Sequence, residues 1–481
     1  MARQPAMTKD TLIALGVEKL AALVLDEAGH NPAFKKMAAA ALAGAKGPGA
    51  VAAIVDRRLA SLARAHAMIN WDKRKAFADD LKATVATITG ELGNVDPAAA
   101  LERLVRFLTM AGGVYERVDD SSGRIQAIFE DAAASAPLLA QRLESEGRAK
   151  LAMGLVPLLL PDFHGLIEMT LHEIIRLLAH PDLKKVDATL KAALAGIAPA
   201  GEDDRDWERL GRRDRVIRAR QAVADQAGDV DAFIDMERLR PERLQDGERV
   251  AERLLKAGRM TEALAWVRRP RRPGLRVMGQ EDVADGFMGI DLADHSRISL
   301  EVRILAAQGN KAAAQDLRWR TFEQTLDANM LRDYIANLPD FEEFDALDRA
   351  FAHVTAHPHH YRALAFFIDW PKLDLAAKLV LEHRSTWEGR HYGALAPAAE
   401  TLEHDHPVAA TVLYRALIND ILARSRSQAY GHAARYFVKI AFLDISDAAA
   451  IGLDTHYVYQ TGLRKAHGRK YGFWSLLESA P

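Results

Sequence analysis

The sequence predicts an all-α protein, a solenoid-like array of antiparallel helix hairpins similar to tetratricopeptide repeats. Three observations predict it. Apolar residues recur at helical spacing through the chain, and sustained alternation of the strand type is absent. Glycines sit in the turns of hairpins of like layout. The first two hairpins recur 30 residues apart, close to known helical repeats, and the third 51 residues further on, with about one loop inserted.

The clearest hairpin is Val250–Val267. Ala251, Leu254 and Leu255 form one apolar stripe, with Lys256 in the last turn where a cation suits the helix dipole. Gly258 follows, the residue best able to end a helix in the left-handed conformation. Thr261 is expected to cap the next helix, whose stripe is Ala263, Leu264 and Val267. Two such stripes joined by a short turn still leave an apolar face bare, and a neighbouring hairpin must cover it. ARQAVADQAGDVDAFI places Gly228 in its turn, and EVRILAAQGNKAAAQDL places Gly309. Aligned on the glycines, the residues four before are Ala224, Leu254 and Leu305; those five after are Phe233, Ala263 and Ala314.

Before these hairpins, residues 8–195 read as successive helices, among them 17–28, 32–42, 49–69, 73–92 and 97–118. Their punctuation is GAKGPGA, GNVDP and DDSSG. The polar segment 196–206 is the expected boundary between an N-terminal helical domain (1–195) and a repeat domain (207–481). An Arg/Pro-rich insert at 268–297 interrupts the latter. Of 33 aromatic residues, 22 lie after residue 300, which predicts an aromatic-filled core there.

The chain has 481 residues, a formal net charge of −2 and no cysteine. The charge gives no overall pull toward nucleic acid or membrane. Without cysteine there is no disulfide, thiol catalysis or cysteine-zinc site, a composition that fits the cytoplasm. No apolar run reaches the roughly 18 residues of a membrane span, and no signal peptide is read at the N-terminus.

Four constellations carry possible chemistry. Arg268, Arg269, Arg271, Arg272 and Arg276 fall within nine residues with no acid; guanidinium forks suit phosphate or carboxylate groups. The bland alternative is a solvated loop, or arginines tied to acids on adjacent helices. In the acid-free stretch 455–477, Arg464, Lys465, Arg469 and Lys470 accompany Tyr457, Tyr459, Tyr471, Phe473 and Trp474, the mixture that single-stranded nucleic acid uses. The alternative is a capping helix whose rings close the core. His353, His357, His359 and His360, and separately His404 and His406, form no intact metal motif. In DDSSG, Asp120 or Ser121 is expected to cap a helix rather than hold calcium. No phosphate-binding loop, nucleophile elbow or dinucleotide fingerprint is present, so an enzyme is the less favoured class.

Together, DLRWRTFEQTL (316–326), LRDYIANLPDFEEFDALDRA (331–350), HPVAATVLYRALINDIL (406–422), YGHAARY (430–436) and HGRKYGFW (467–474) resemble an uncharacterised bacterial family of helical-repeat proteins, a domain of unknown function. DDSSG is similar to the helical region that accompanies a SWIM zinc finger, although this chain lacks that module's cysteines. The resemblance covers most of residues 8–477 and implies no activity, site or cofactor. The expected function is a protein-interaction or scaffold role with a protein or peptide partner. A nucleic-acid-associated role using the basic loop and basic-aromatic tail is the alternative. No cofactor and no metal is expected.

Overall fold

The computed structural model describes residues 7–45, 47–201, 203–270, 292–443 and 452–478. Among these residues every regular element is helical, and the sole β pairing is an isolated bridge between Ile69 and Val118. Helices mostly pack on the next helix or the next but one in sequence, the near-neighbour pattern of an α-solenoid. The contacts divide the chain into two compact units, Met1–Ala257 and Gly258–Pro481. Segment 196–206 thus lies inside the first unit, where helices His180–Ala195 and Trp207–Ala227 pack on each other.

Four helix starts in the first unit share one cap. Asp96, Asp206, Asp229 and Asp246 each accept a hydrogen bond from the backbone N–H three residues on, satisfying a donor that the first turn leaves unpaired. The expected helices are present with shifted ends: Val17–His30, Pro32–Gly44, Pro48–Ala63 and Arg74–Ala86. The last continues as a π-helical turn, Thr87–Leu92. The helix expected over 97–118 breaks after Leu108 and resumes at Ala111–Tyr115. One core runs from Val51 to Val223 and includes stacked Phe107 and Phe129, with ring centroids 4.4 Å apart.

The second unit is built around Pro407–Ala423, a helix buried on nearly every side. Its core holds Phe322, Phe366, Phe367, Tyr414, Phe437, Phe473 and Trp474, the aromatic filling that the composition predicts. Gly389 allows one close approach: a Cβ there would stand 2.4 Å from the Ala416 carbonyl oxygen.

All three hairpin glycines take positive φ: 71° at Gly228, 74° at Gly258 and 78° at Gly309. The first and third turns share their hydrogen bonds. Asp229 N–H donates to the Ala224 carbonyl and Asn310 N–H to that of Leu305, at 2.9 and 3.0 Å. This is the Schellman arrangement. The middle turn differs from expectation. Helix Met260–Val267 starts one residue before Thr261, after Arg259, with no side-chain cap; Arg259 binds Glu262 instead. Leu254 is fully buried, whereas Leu255 is half-buried.

Candidate binding surfaces

The basic loop begins at the end of helix Met260–Val267. Arg268 forms an ion pair with Glu301 at 2.7 Å and remains about half exposed (53%). Arg269 lies over the Trp266 ring, 3.4 Å from its centroid. An adjacent helix therefore supplies Arg268 with the acid that the local sequence lacks. Arg271, Arg272 and Arg276 lie outside the described residues.

In the C-terminal tail the rings separate into two classes. Phe473 and Trp474 are buried. The Trp474 indole N–H donates to the His467 carbonyl at 3.0 Å, and Arg464 covers its ring at 4.4 Å. Trp474 is thus a core anchor, which corrects its expected place among binding residues: a buried ring covered by Arg464 is not free to stack on a base. Arg464 also approaches Glu478 at 3.8 Å, and Lys470 binds the Ser425 hydroxyl. Tyr457 and Tyr471, by contrast, are mostly exposed, as are Lys465 and Arg469.

The described histidines of the second unit engage separate neighbours, some of them other histidines. His360 and His383 touch edge to face with centroids 3.6 Å apart. His353 bonds the Glu323 carbonyl at 3.0 Å. Burial, together with neighbouring His383 and His359, pushes the His360 pKa down. No group of three or more potential metal ligands occurs among the described residues. In DDSSG, Asp120 accepts the backbone N–H groups of Ile125 and Gln126 at 3.0 and 2.8 Å, beyond Gly123 in the left-handed conformation. The turn is a helix cap. Asp162 and Gly165 repeat it 42 residues later, where Asp162 accepts from Glu168 N–H at 2.8 Å.

Sequence reasoning missed a cleft of about 260 Å³ in the first unit, between helices His180–Ala195, Trp207–Ala227 and Val230–Arg238. Leu183, Val223, Ala224, Ala232 and Met236 supply its apolar lining. At its edge Arg220 grips Asp187 through two bonds of 2.7 and 3.1 Å, and Lys184 and His180 stand exposed. The signal was present in the hairpin alignment. Ala224 occupies the register filled by Leu254 and Leu305 in the other hairpins, and the smaller side chain leaves space.

Beneath the cleft helices lies an ion network. Glu237, with no exposure, accepts from Arg240 at 3.0 Å, from Gln221 at 2.6 Å and from the Asp246 N–H at 2.7 Å. Arg240 pairs with Asp214 at 2.7 Å; Arg218 joins Asp214 to Glu168. Such a network orients helices, since each buried charge is matched. In the second unit, buried Tyr414 donates to Glu403, which also receives Lys439 at 2.6 Å. Burial and then Glu403 push the tyrosine pKa far up. The lysine's is raised too, because Glu403 outweighs the opposing effect of burial. Neither group exchanges protons near neutrality, so the cluster suits packing better than acid–base chemistry.

Comparison with known proteins returns one family. Residues 2–476 match the "Family of unknown function (DUF6880)", and the chain belongs to it. No curated protein matches. A solved structure titled "Circular tandem repeat protein with novel repeat topology and enhanced subunit contact surfaces" aligns over 92% of this chain and 93% of that one. The identity is 12% and the TM-score 0.15, too low to carry an argument.

Proposed function

We propose that this member of a family of unknown function is a protein-interaction or scaffold protein. In this reading, the cleft between helices His180–Ala195, Trp207–Ala227 and Val230–Arg238 receives a partner's apolar side chain. The cleft carries the proposal: an apolar concavity with a few charged groups at its edge is the usual form of a recognition site. Lys184 and the Arg220–Asp187 pair would orient the partner's polar groups. The arginines Arg268, Arg269, Arg271, Arg272 and Arg276 would offer a second contact to an acidic partner. The cysteine-free composition and the lack, among described residues, of any helix long and apolar enough to cross a membrane are compatible with a cytoplasmic role.

The test is affinity capture from the native host, comparing wild type with Ala232→Trp, which fills the cleft from a half-buried position. Loss of a specific protein from the variant's eluate, with helicity unchanged, supports the reading. Identical eluates count against it.

A second reading, association with single-stranded nucleic acid, is favoured by the exposed Tyr457, Tyr471, Lys465 and Arg469 of the tail. Arg464 and Lys470 are engaged within the fold and would add charge more than contact. Binding of a labelled oligonucleotide should then fall steeply with salt and be lost on Lys465→Glu/Arg469→Glu. Nuclease treatment of the lysate before capture separates the two readings.

A further inference from the structure

The turn between helices Ala328–Ile335 and Glu343–Thr355 displays two aromatic rings that the fold does not use. Phe341 is 84% exposed and Phe344 64%. The buried stripe of the following helix is Ala346, Ala350 and Val354, and Phe344 lies off it. Most other phenylalanines of this unit are packed; Phe322, Phe366 and Phe367 contact one another in its core. Isolated exposed apolar residues are ordinary; two largely exposed phenylalanines three residues apart are less so.

The backbone at Phe341 adds weight. Its φ is +72°, in a turn closed by a 3.3 Å bond from Glu342 N–H to the Pro339 carbonyl. Phe341 is the third of the four residues in that turn. When φ is positive there, glycine or asparagine is the usual occupant, because a bulky L-residue is strained. A glycine would be easier for the fold, and a polar residue easier for the surface. Phenylalanine satisfies neither, which turns attention to what lies outside the chain.

Five carboxylates flank the two phenylalanines in sequence: Asp340, Glu342, Glu343, Asp345 and Asp348. The helix dipole accounts for Glu343 and Asp345 in the first turn. It favours Glu342 at the N-cap as well, but it does not account for Asp340 or Asp348, and none of the five forms an ion pair among the described residues. Their field repels nucleic acid and anionic membranes and attracts cations.

We infer that this turn is a docking knob: Phe341 and Phe344 enter an apolar pocket on a protein partner whose lysines and arginines meet the flanking carboxylates. The rings supply the desolvated anchor of such an interface, and the charges supply steering and specificity. The inference deepens the interaction reading, yet it uses residues remote in sequence from the cleft of the first unit, so either can fail alone.

The experiment is selection of a random peptide display library on the full chain. Enriched peptides should combine Lys or Arg with apolar residues. The most enriched peptide, synthesised with a fluorophore, should bind more weakly as salt rises. Phe341→Ser/Phe344→Ser should weaken it about tenfold or more, while Ala232→Trp leaves it unchanged. Phe341→Gly should also weaken binding, yet leave the melting temperature equal or raise it, because strain is relieved. Enrichment of neutral or acidic peptides, of none, or of peptides that bind the double serine variant equally well overturns the inference. So does a lower melting temperature for Phe341→Gly, which would make the ring a structural part of the turn.

Discussion

Glu237 shows how much of this protein's specificity resides in single side chains. It is wholly buried and bound by Arg240, Gln221 and the backbone of Asp246. Removing one partner of a buried pair strands the other charge. Glu237→Leu is therefore expected to cost about 3–5 kcal/mol, measured by urea unfolding. Leu254→Ala, at a fully buried site, should cost about 2–5 kcal/mol, while Leu255→Ala, half-buried, should cost clearly less. An equal loss at both would mean that the stripe is misassigned. The stripe itself was legible because helical periodicity marks a core face. Glu237 was not, since one of three acids in VDAFIDMER looks like any solvated residue until its three-dimensional partners are known. Trp474 was misread for a related reason: composition shows that rings and cations are near in sequence, not which rings turn inward.

At the scale of elements, the caps and turns were the most readable feature. Positive φ at Gly228, Gly258 and Gly309 follows from the chemistry of glycine. The cap at Thr261 failed because Arg259 and Glu262 engage each other and the helix starts earlier. The helix end at Arg268 and Arg269 should tolerate change. An exposed ion pair contributes about 0–1 kcal/mol and an exposed cation–π contact about 0.5–1. Replacing both arginines with serine should therefore lower stability by no more than about 2 kcal/mol. Aggregation or unfolding would identify them as struts. Histidine-bearing helices should make the fold acid-sensitive. Burial, the largest cause in each case, lowers the pKa of His172, His357, His360, His456 and His467. The folded state then favours neutral imidazoles, while the unfolded chain takes up protons at about pH 6.5. Stability is full above that pH and falls as pH drops through 6.5 toward the lower folded values. Melting temperatures between pH 8 and 5, about a neutral midpoint, check this; His360→Gln should flatten the decline, and a curve that rises toward acid would contradict it.

At the scale of the molecule, the helical class was legible throughout and the organisation less so. Polar, proline-containing sequence at 196–206 suggests a boundary, yet Val216, Ile217, Ala219 and Val223 complete the core that begins at Val51. A fragment of residues 1–195 should consequently expose that core and unfold at lower urea than a fragment of residues 1–257. Equal stability of the two would restore the earlier boundary. Local composition reports where a chain is solvated; it does not report which helices share a core. The cleft was legible only in part: Ala224 stands where the sister hairpins carry leucine, but a gap left among three helices depends on how they pack.

The central claim is that this cleft holds a protein partner. The most direct measurement is a photo-crosslinking amino acid placed at Ala227, a half-buried residue of the cleft lining, and activated in the native host. The account predicts one dominant adduct with a second protein, lost when Ala232→Trp is added. Absence of any such adduct, with the protein expressed and folded, would contradict it.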